Sequence, residues 1–191
     1  MTRIKKDKIK NIKKGFSIME AVISVFVVAV GLTATVSLIV SGLNHSIDSR
    51  NYIIASQLAQ EGVELVRNVR DNNWVNSIGS FASRFPATSP SECRIDKDYD
   101  YSAGSDIECG GESKRLYYDG SNFYVHDDTG TQTKFQRKIK LDYNTGNAAA
   151  ADDLTVTSLV IWGSDFPAAL ADCNVSNKCV YTQSVLSRWG E

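Results

Sequence analysis

Between residues 21 and 43 this chain has no charged side chain, and the run AVISVFVVAVGLTATVSLIVSGL is apolar almost throughout. As a helix rising about 1.5 Å per residue it is long enough to cross about 30 Å of hydrocarbon. Such a segment must be covered by lipid or by other apolar helices, which fixes the setting for everything else in the chain. The awkward residue is Glu20, which opens the run. An ionised carboxylate at the edge of a membrane span costs roughly a few kcal/mol without a partner, although an interfacial acid that stays wet needs no role.

The flanks are asymmetric in charge. The whole chain has 21 Lys and Arg against 22 Asp and Glu; residues 1–15 hold seven of the former and only Asp7 of the latter, which leaves 14 against 21 from Phe16 onward, a formal charge of −7. A basic segment directly before the span stays on the cytoplasmic side by the positive-inside rule, so the acidic remainder is expected to be exported. The acidic balance also disfavours nonspecific nucleic-acid binding by the body of the protein.

Lys13-Lys14-Gly15-Phe16 followed by Glu20 resembles the processing site of type IV prepilins and type II secretion pseudopilins, in which a basic leader ends in glycine. The resemblance covers residues 13 to about 74 closely and the remainder only in general character. It implies cleavage by an inner-membrane prepilin peptidase between Gly15 and Phe16, N-methylation of Phe16, and Glu20 as fifth residue of the mature chain. It further implies an assembly role for Glu20, as counter-ion to the methylated amine of a neighbouring subunit's Phe16. The partners would be the peptidase, copies of the chain or related pilins, the pilus assembly platform, and the inner membrane before assembly. The implied location is that of a single-pass membrane protein with its C-terminal domain outside the cytoplasm, then of an extracellular pilus. Glycine at the cut has a physical rationale, since it lets extended backbone approach the peptidase without a side chain in the way. A Sec signal peptide competes, yet the charge-free run exceeds a usual h-region of about 7–15 residues and no small-x-small cleavage site interrupts the helix beyond it. An uncleaved signal anchor also stays open.

Residues 16–72 contain no proline, which predicts one continuous helix, with 16–43 as its transmembrane and assembly segment. Many relatives implied by the resemblance carry a helix-breaking proline in the apolar half; here Ser37 stands near that place, and Gly31 and Gly42 are the weaker points. From Asn44 on, Ile54, Ala55, Leu58, Ala59, Gly62, Val63, Leu65, Val66 and Val69 recur at spacings of three and four, one broad apolar face suited to packing on a sheet. Glu64 is placed to meet Arg67 or Asn68. The run Asp71-Asn72-Asn73 ends the helix, with Trp74 expected to cap the hydrophobic junction.

Residues 73–191 are expected to form an exported β-rich domain. Residues 75–113 read as a long loop rich in Ser, Gly, Pro and Asp. Strand signals come after it at 116–119 and 123–126, flanking Gly120-Ser121-Asn122 as a hairpin, then at 135–143, 154–162 and 180–189. In the alternating run 135–143, Arg137 falls on the apolar side, a defect in the pattern. The segment from Thr133 to Arg137 is similar to the start of a sheet strand in bacterial pilin-like proteins, a weaker likeness than the leader. The fold class is thus α+β: a long N-terminal helix whose second half packs on about four or five antiparallel strands, a pilin-like ladle.

Cys93, Cys109, Cys173 and Cys179 all lie in the part expected outside, where an even count favours disulfides. Sequence-adjacent pairing is the simplest of three connectivities. Zinc is disfavoured because spacings of fifteen and five intervening residues lack the close C-x2-C pattern. Asp96, Asp98 and Asp100 match the start of a calcium loop, but Tyr101 and Ile107 stand where its glycine and bidentate glutamate belong. His126 with Asp127 and Asp128 is the nearest thing to an acid–base cluster, without a local nucleophile or a recognised motif. No enzyme activity and no cofactor are expected, and neither major versus minor subunit nor the use of a filament is readable.

Overall fold

The structure, a computed structural model, describes residues 15, 17–76, 83–97, 107–110 and 114–188. It is α+β, with one long N-terminal helix and a C-terminal antiparallel sheet. Helix α1 spans Ile18–Val75, starting two residues later and ending three later than the sequence pattern suggests. It runs unbroken through Gly31 and Gly42, where the surrounding space is open. The chain divides into two compact units, Met1–Ile47 and Asp48–Glu191.

Among its described residues the second unit holds seven strands: β1 Ser91–Arg94, β2 Glu108–Cys109, β3 Arg115–Tyr118, β4 Tyr124–Val125, β5 Thr131–Tyr143, β6 Asp153–Ile161 and β7 Cys179–Ser187. All pairings are antiparallel, with the path β2-β1-β5-β3-β4 and the pairs β5–β6 and β6–β7 completing the sheet. Four or five strands was an underestimate, because β1 and β2 lie in the stretch read as loop. These are strands of four and two residues with no long alternation to betray them; β1 exists because its backbone pairs with Leu141, Lys140 and Ile139 of the long strand β5.

The helix residues after Ile47 carry the spacing of an amphipathic face, and that face is buried. Val63, Val66 and Val69 share a core with Ile139, Leu141, Leu154, Val156 and Leu186. Ala55, Leu58 and Ala59 share another with Leu116, Phe135, Val160 and Trp162. At about 1.5–3 kcal/mol for each large apolar side chain removed from water, this burial is the main attraction holding helix to sheet. The two clusters are interleaved by a polar layer. Gly62, Ser158 and Arg137 meet there, and a Cβ built on Gly62 would stand 2.3 Å from Ser158 Oγ and 3.1 Å from Ser158 Cβ.

Arg137, the defect in the alternation of β5, is wholly buried on the core side. Its guanidinium donates to the Ile95 carbonyl at 3.0 Å and the Leu58 carbonyl at 3.5 Å, and lies 3.5 Å from Glu61 and 3.6 Å from Asp96. The period-2 pattern was therefore correct, and the charge is tolerated because two carbonyls and two carboxylates surround it. Trp74, by contrast, does not cap the end of α1. It is 44% exposed, and the buried residue at that junction is Asn73, whose amide donates to the Ser83 carbonyl. A large apolar ring was the plausible choice from sequence, but the chain leaving the helix offers a carbonyl, which an amide can satisfy. Glu64 does pair with Arg67, at 2.5 Å.

Candidate functional site

The feature that most needs a function is the apolar half of α1. Every described residue from 17 to 47 is exposed, including Ile18, Phe26, Leu32, Leu38 and Leu43. The apolar side chains point to all sides of the helix rather than to one stripe, so no single packing partner would cover them. By length and composition the helix can cross a membrane. Its few polar side chains are satisfied within the helix: Ser24 Oγ donates to the Glu20 carbonyl at 2.7 Å, Thr33 Oγ1 to Val30 at 2.9 Å and Thr35 Oγ1 to Gly31 at 2.8 Å. Internal satisfaction of this kind is what a hydrocarbon environment demands.

At the start of this segment Gly15 is exposed and non-helical, and Glu20 lies exposed in the first turn of α1. A carboxylate there interacts favourably with the positive end of the helix dipole. Ala21 N–H closes the first turn on the Ser17 carbonyl at 3.1 Å. Phe16 and the leader before Gly15 lie outside the described residues.

The sheet-bearing unit contains two disulfides, Cys93–Cys109 and Cys173–Cys179, which is the sequence-adjacent pairing. Cys93 and Cys109 stand directly opposite each other on β1 and β2. The flanking bond from Gly110 N–H to the Glu92 carbonyl, 2.8 Å, places them in a non-hydrogen-bonded pair, where opposing side chains are closest. The second bridge closes the turn before β7, in which Cys179 N–H also donates to the Asn174 carbonyl at 3.0 Å.

Asp96 is engaged in a different way from a calcium ligand. One of its oxygens takes the His126 ring Nδ1 at 2.6 Å and the other the His126 backbone N–H at 3.0 Å, with Arg137 beyond. Burial works to raise its pKa, but the contacts to His126 and Arg137 outweigh it and hold the carboxyl below its ordinary value. Asp98 and Asp100 lie outside the described residues, and among the described residues no group of three or more metal-ligating side chains converges. Nor are His126, Asp127 and Asp128 brought to one point. His126 is buried against Asp96, whereas Asp127 accepts the backbone N–H and hydroxyl of Thr129 in its own turn.

What sequence reasoning missed is this chain of side chains, Glu61, Arg137, Asp96 and His126, which joins α1, β5 and the segments after β1 and β4. The one available signal was Arg137 on the apolar side of β5; its partners are 76 and 41 residues away in sequence and no local pattern links them. The network ties these segments together, Arg137 bonding the Leu58 and Ile95 carbonyls as well as lying near the two carboxylates, while Arg137 Nε and His126 Nε2 are buried without a hydrogen-bond partner among the described residues. Comparisons with family models, with curated proteins and with solved structures found no match.

Proposed function

We propose that this chain is a structural subunit of a type IV pilus or a related filament, cut after Gly15 by a prepilin peptidase, N-methylated at Phe16 and assembled through its N-terminal helix. The observation that carries the reading is the helix exposed on every side from Ile18 to Leu43, with Glu20 in its first turn and Gly15 just before it. Such a helix needs cover, and a filament core of like helices supplies it as well as a bilayer does. Moving from one to the other gains little from the hydrophobic effect, because lipid tails are as apolar as the neighbouring helices. Packing and charge pairing must then decide the transfer. Glu20 is suited to this: in the apolar core of a filament its carboxylate neutralises the amino terminus of Phe16 on a neighbour, where an unpaired charge would be costly. The exported sheet, stapled by two disulfides, faces outward and carries contact specificity for adhesion, motility or DNA uptake. A type II secretion pseudopilus uses the same chemistry and would differ in filament length and location.

Mass spectrometry of the protein extracted from membranes tests the reading. A mature chain beginning at methylated Phe16 supports it; an intact Met1 overturns it in favour of an uncleaved single-pass anchor carrying an outer binding domain. The variant Glu20→Gln separates processing from assembly, with cleavage retained and incorporation into filaments lost. Normal incorporation of that variant would refute the counter-ion role.

A further inference from the structure

Strand β7 closes the sheet on one side, and among the described residues only β6 pairs with it. The bonds that flank this ladder fix its phase. Trp162 N–H donates to the Lys178 carbonyl at 3.0 Å and Arg188 N–H to the Asp152 carbonyl at 2.8 Å. In an antiparallel ladder bonded pairs alternate, so the even-numbered residues of β7 exchange bonds with β6. The odd-numbered ones, Tyr181, Gln183 and Val185, turn their N–H and C=O groups outward.

This edge lacks the usual guards. The nine residues CVYTQSVLS contain no charge, proline or glycine, whereas free edges are commonly protected by lysine, proline or a bulge. The strands that end the other path, β2 and β4, have two residues each and offer little template. On β7 the outward-turning residues also present exposed apolar surface, with Tyr181 42% and Val185 61% exposed.

We infer that β7 is a self-pairing edge, joining β7 of a second copy of this chain antiparallel across a two-fold axis at Gln183. The phase of the amides sets which residues can bond, and the sequence of β7 laid against itself carries the choice of occupant. Outward amides on odd residues require odd-to-odd bonded pairs, and the symmetric register opposes Tyr181 to the second copy's Val185, and Gln183 to its own counterpart. An aromatic ring then meets a β-branched side chain twice, and Gln183, whose Nε2 donates to Thr157 Oγ1 at 3.1 Å, stands across from its uncharged counterpart. On the opposite face Thr182 lies across from the second copy's Ser184, hydroxyl to hydroxyl. Slipping the register by one residue would present amides already used by β6, and slipping it by two sets Tyr181 against Gln183 and overlaps fewer residues of the two strands. The strand is thus complementary to itself in charge, shape and bonding phase, and the inference holds whether the chain lies in a filament or in a membrane.

The test uses the full chain in detergent micelles, with its mass measured by light scattering across a concentration series. Gln183→Lys and Gln183→Glu each place like charges opposite one another at the axis and nowhere else. Each variant loses the bond from Gln183 Nε2 to Thr157 Oγ1 and so is expected to melt somewhat below the parent while staying folded, and to weaken self-association at least about tenfold; an equimolar mixture of the two is expected to restore association. Should either variant fail to fold, Val185→Lys, which puts a charge against the second copy's Tyr181, is expected to weaken association similarly. A parent chain that stays monomeric overturns the inference. So does association that persists unchanged in the variants, which would assign it to the apolar helix, or a mixture that fails to recover.

Discussion

Replacing Gly62 by alanine tests how closely α1 approaches the sheet. The substitution is favourable for an isolated helix by about 1 kcal/mol. In this fold the added methyl would stand 2.3 Å from Ser158 Oγ, 3.1 Å from Ser158 Cβ and 3.3 Å from Arg137 Cδ. A rotamer change can move the hydroxyl aside, but the Cβ cannot move without β6. Ser158 and Arg137 are both wholly buried, so neither has free space to retreat into. Overpacking of a dense core costs about 1–3 kcal/mol, and three close approaches at one point place this site at the upper end. The expected net loss is about 2 kcal/mol. At an unfolding entropy of about 2.1 cal/mol/K per residue over residues 48–191 this lowers Tm by roughly 7 °C. Near-UV circular dichroism of the detergent-solubilised chain tracks the transition through buried Trp162. Adding Ser158→Gly removes both serine contacts and should recover at least about 1 kcal/mol relative to the sum of the single changes. A Gly62→Ala protein that melts at or above the parent, with no coupling to residue 158, would refute the close approach.

Acid should weaken the sheet-bearing unit through Asp96 and Glu92. For Glu92, burial acts to raise the pKa, but Lys114 at 2.6 Å and Lys138 at 2.7 Å outweigh it and lower it. Both carboxyls are held below their ordinary values when folded, so their contribution is fully present above the unfolded carboxylate range and disappears as pH falls through the folded values. Urea midpoints measured from pH 6 down to 3 should therefore decline, and Asp96→Asn should flatten the decline; an equal slope in that variant would exclude Asp96 as a source. Removing the disulfides should cost more for the longer loop. By loop-closure entropy the separation of 16 in Cys93–Cys109 gives about 3 kcal/mol and the separation of 6 in Cys173–Cys179 about 2 kcal/mol. Denaturant midpoints of the two double-alanine variants check the order, and a reversed order would contradict it.

The single sequence determined the parts whose physics is local. A charge-free run of this length has no option but a helix with apolar cover, and the three-four spacing of Leu58, Val63 and Val66 allows one buried face. The same is true of the alternation that made β5, and of cysteines close enough in sequence for adjacent pairing. Gly15, Phe16 and Glu20 are likewise close in sequence, so the proposed cleavage and assembly roles could be read without any tertiary contact. Tertiary structure decided what depends on neighbours far along the chain. The four-residue strand β1 exists only because β5 was there to pair with, the two-residue β2 only because β1 was, and Arg137 became acceptable only when Glu61, Asp96 and two carbonyls were brought around it. Asn73 rather than Trp74 ended up inside because a carbonyl from Ser83 was waiting for an amide. Hydrophobic periodicity reports how much of a residue is hidden, and a polar residue is hidden only by partners that the local sequence does not contain.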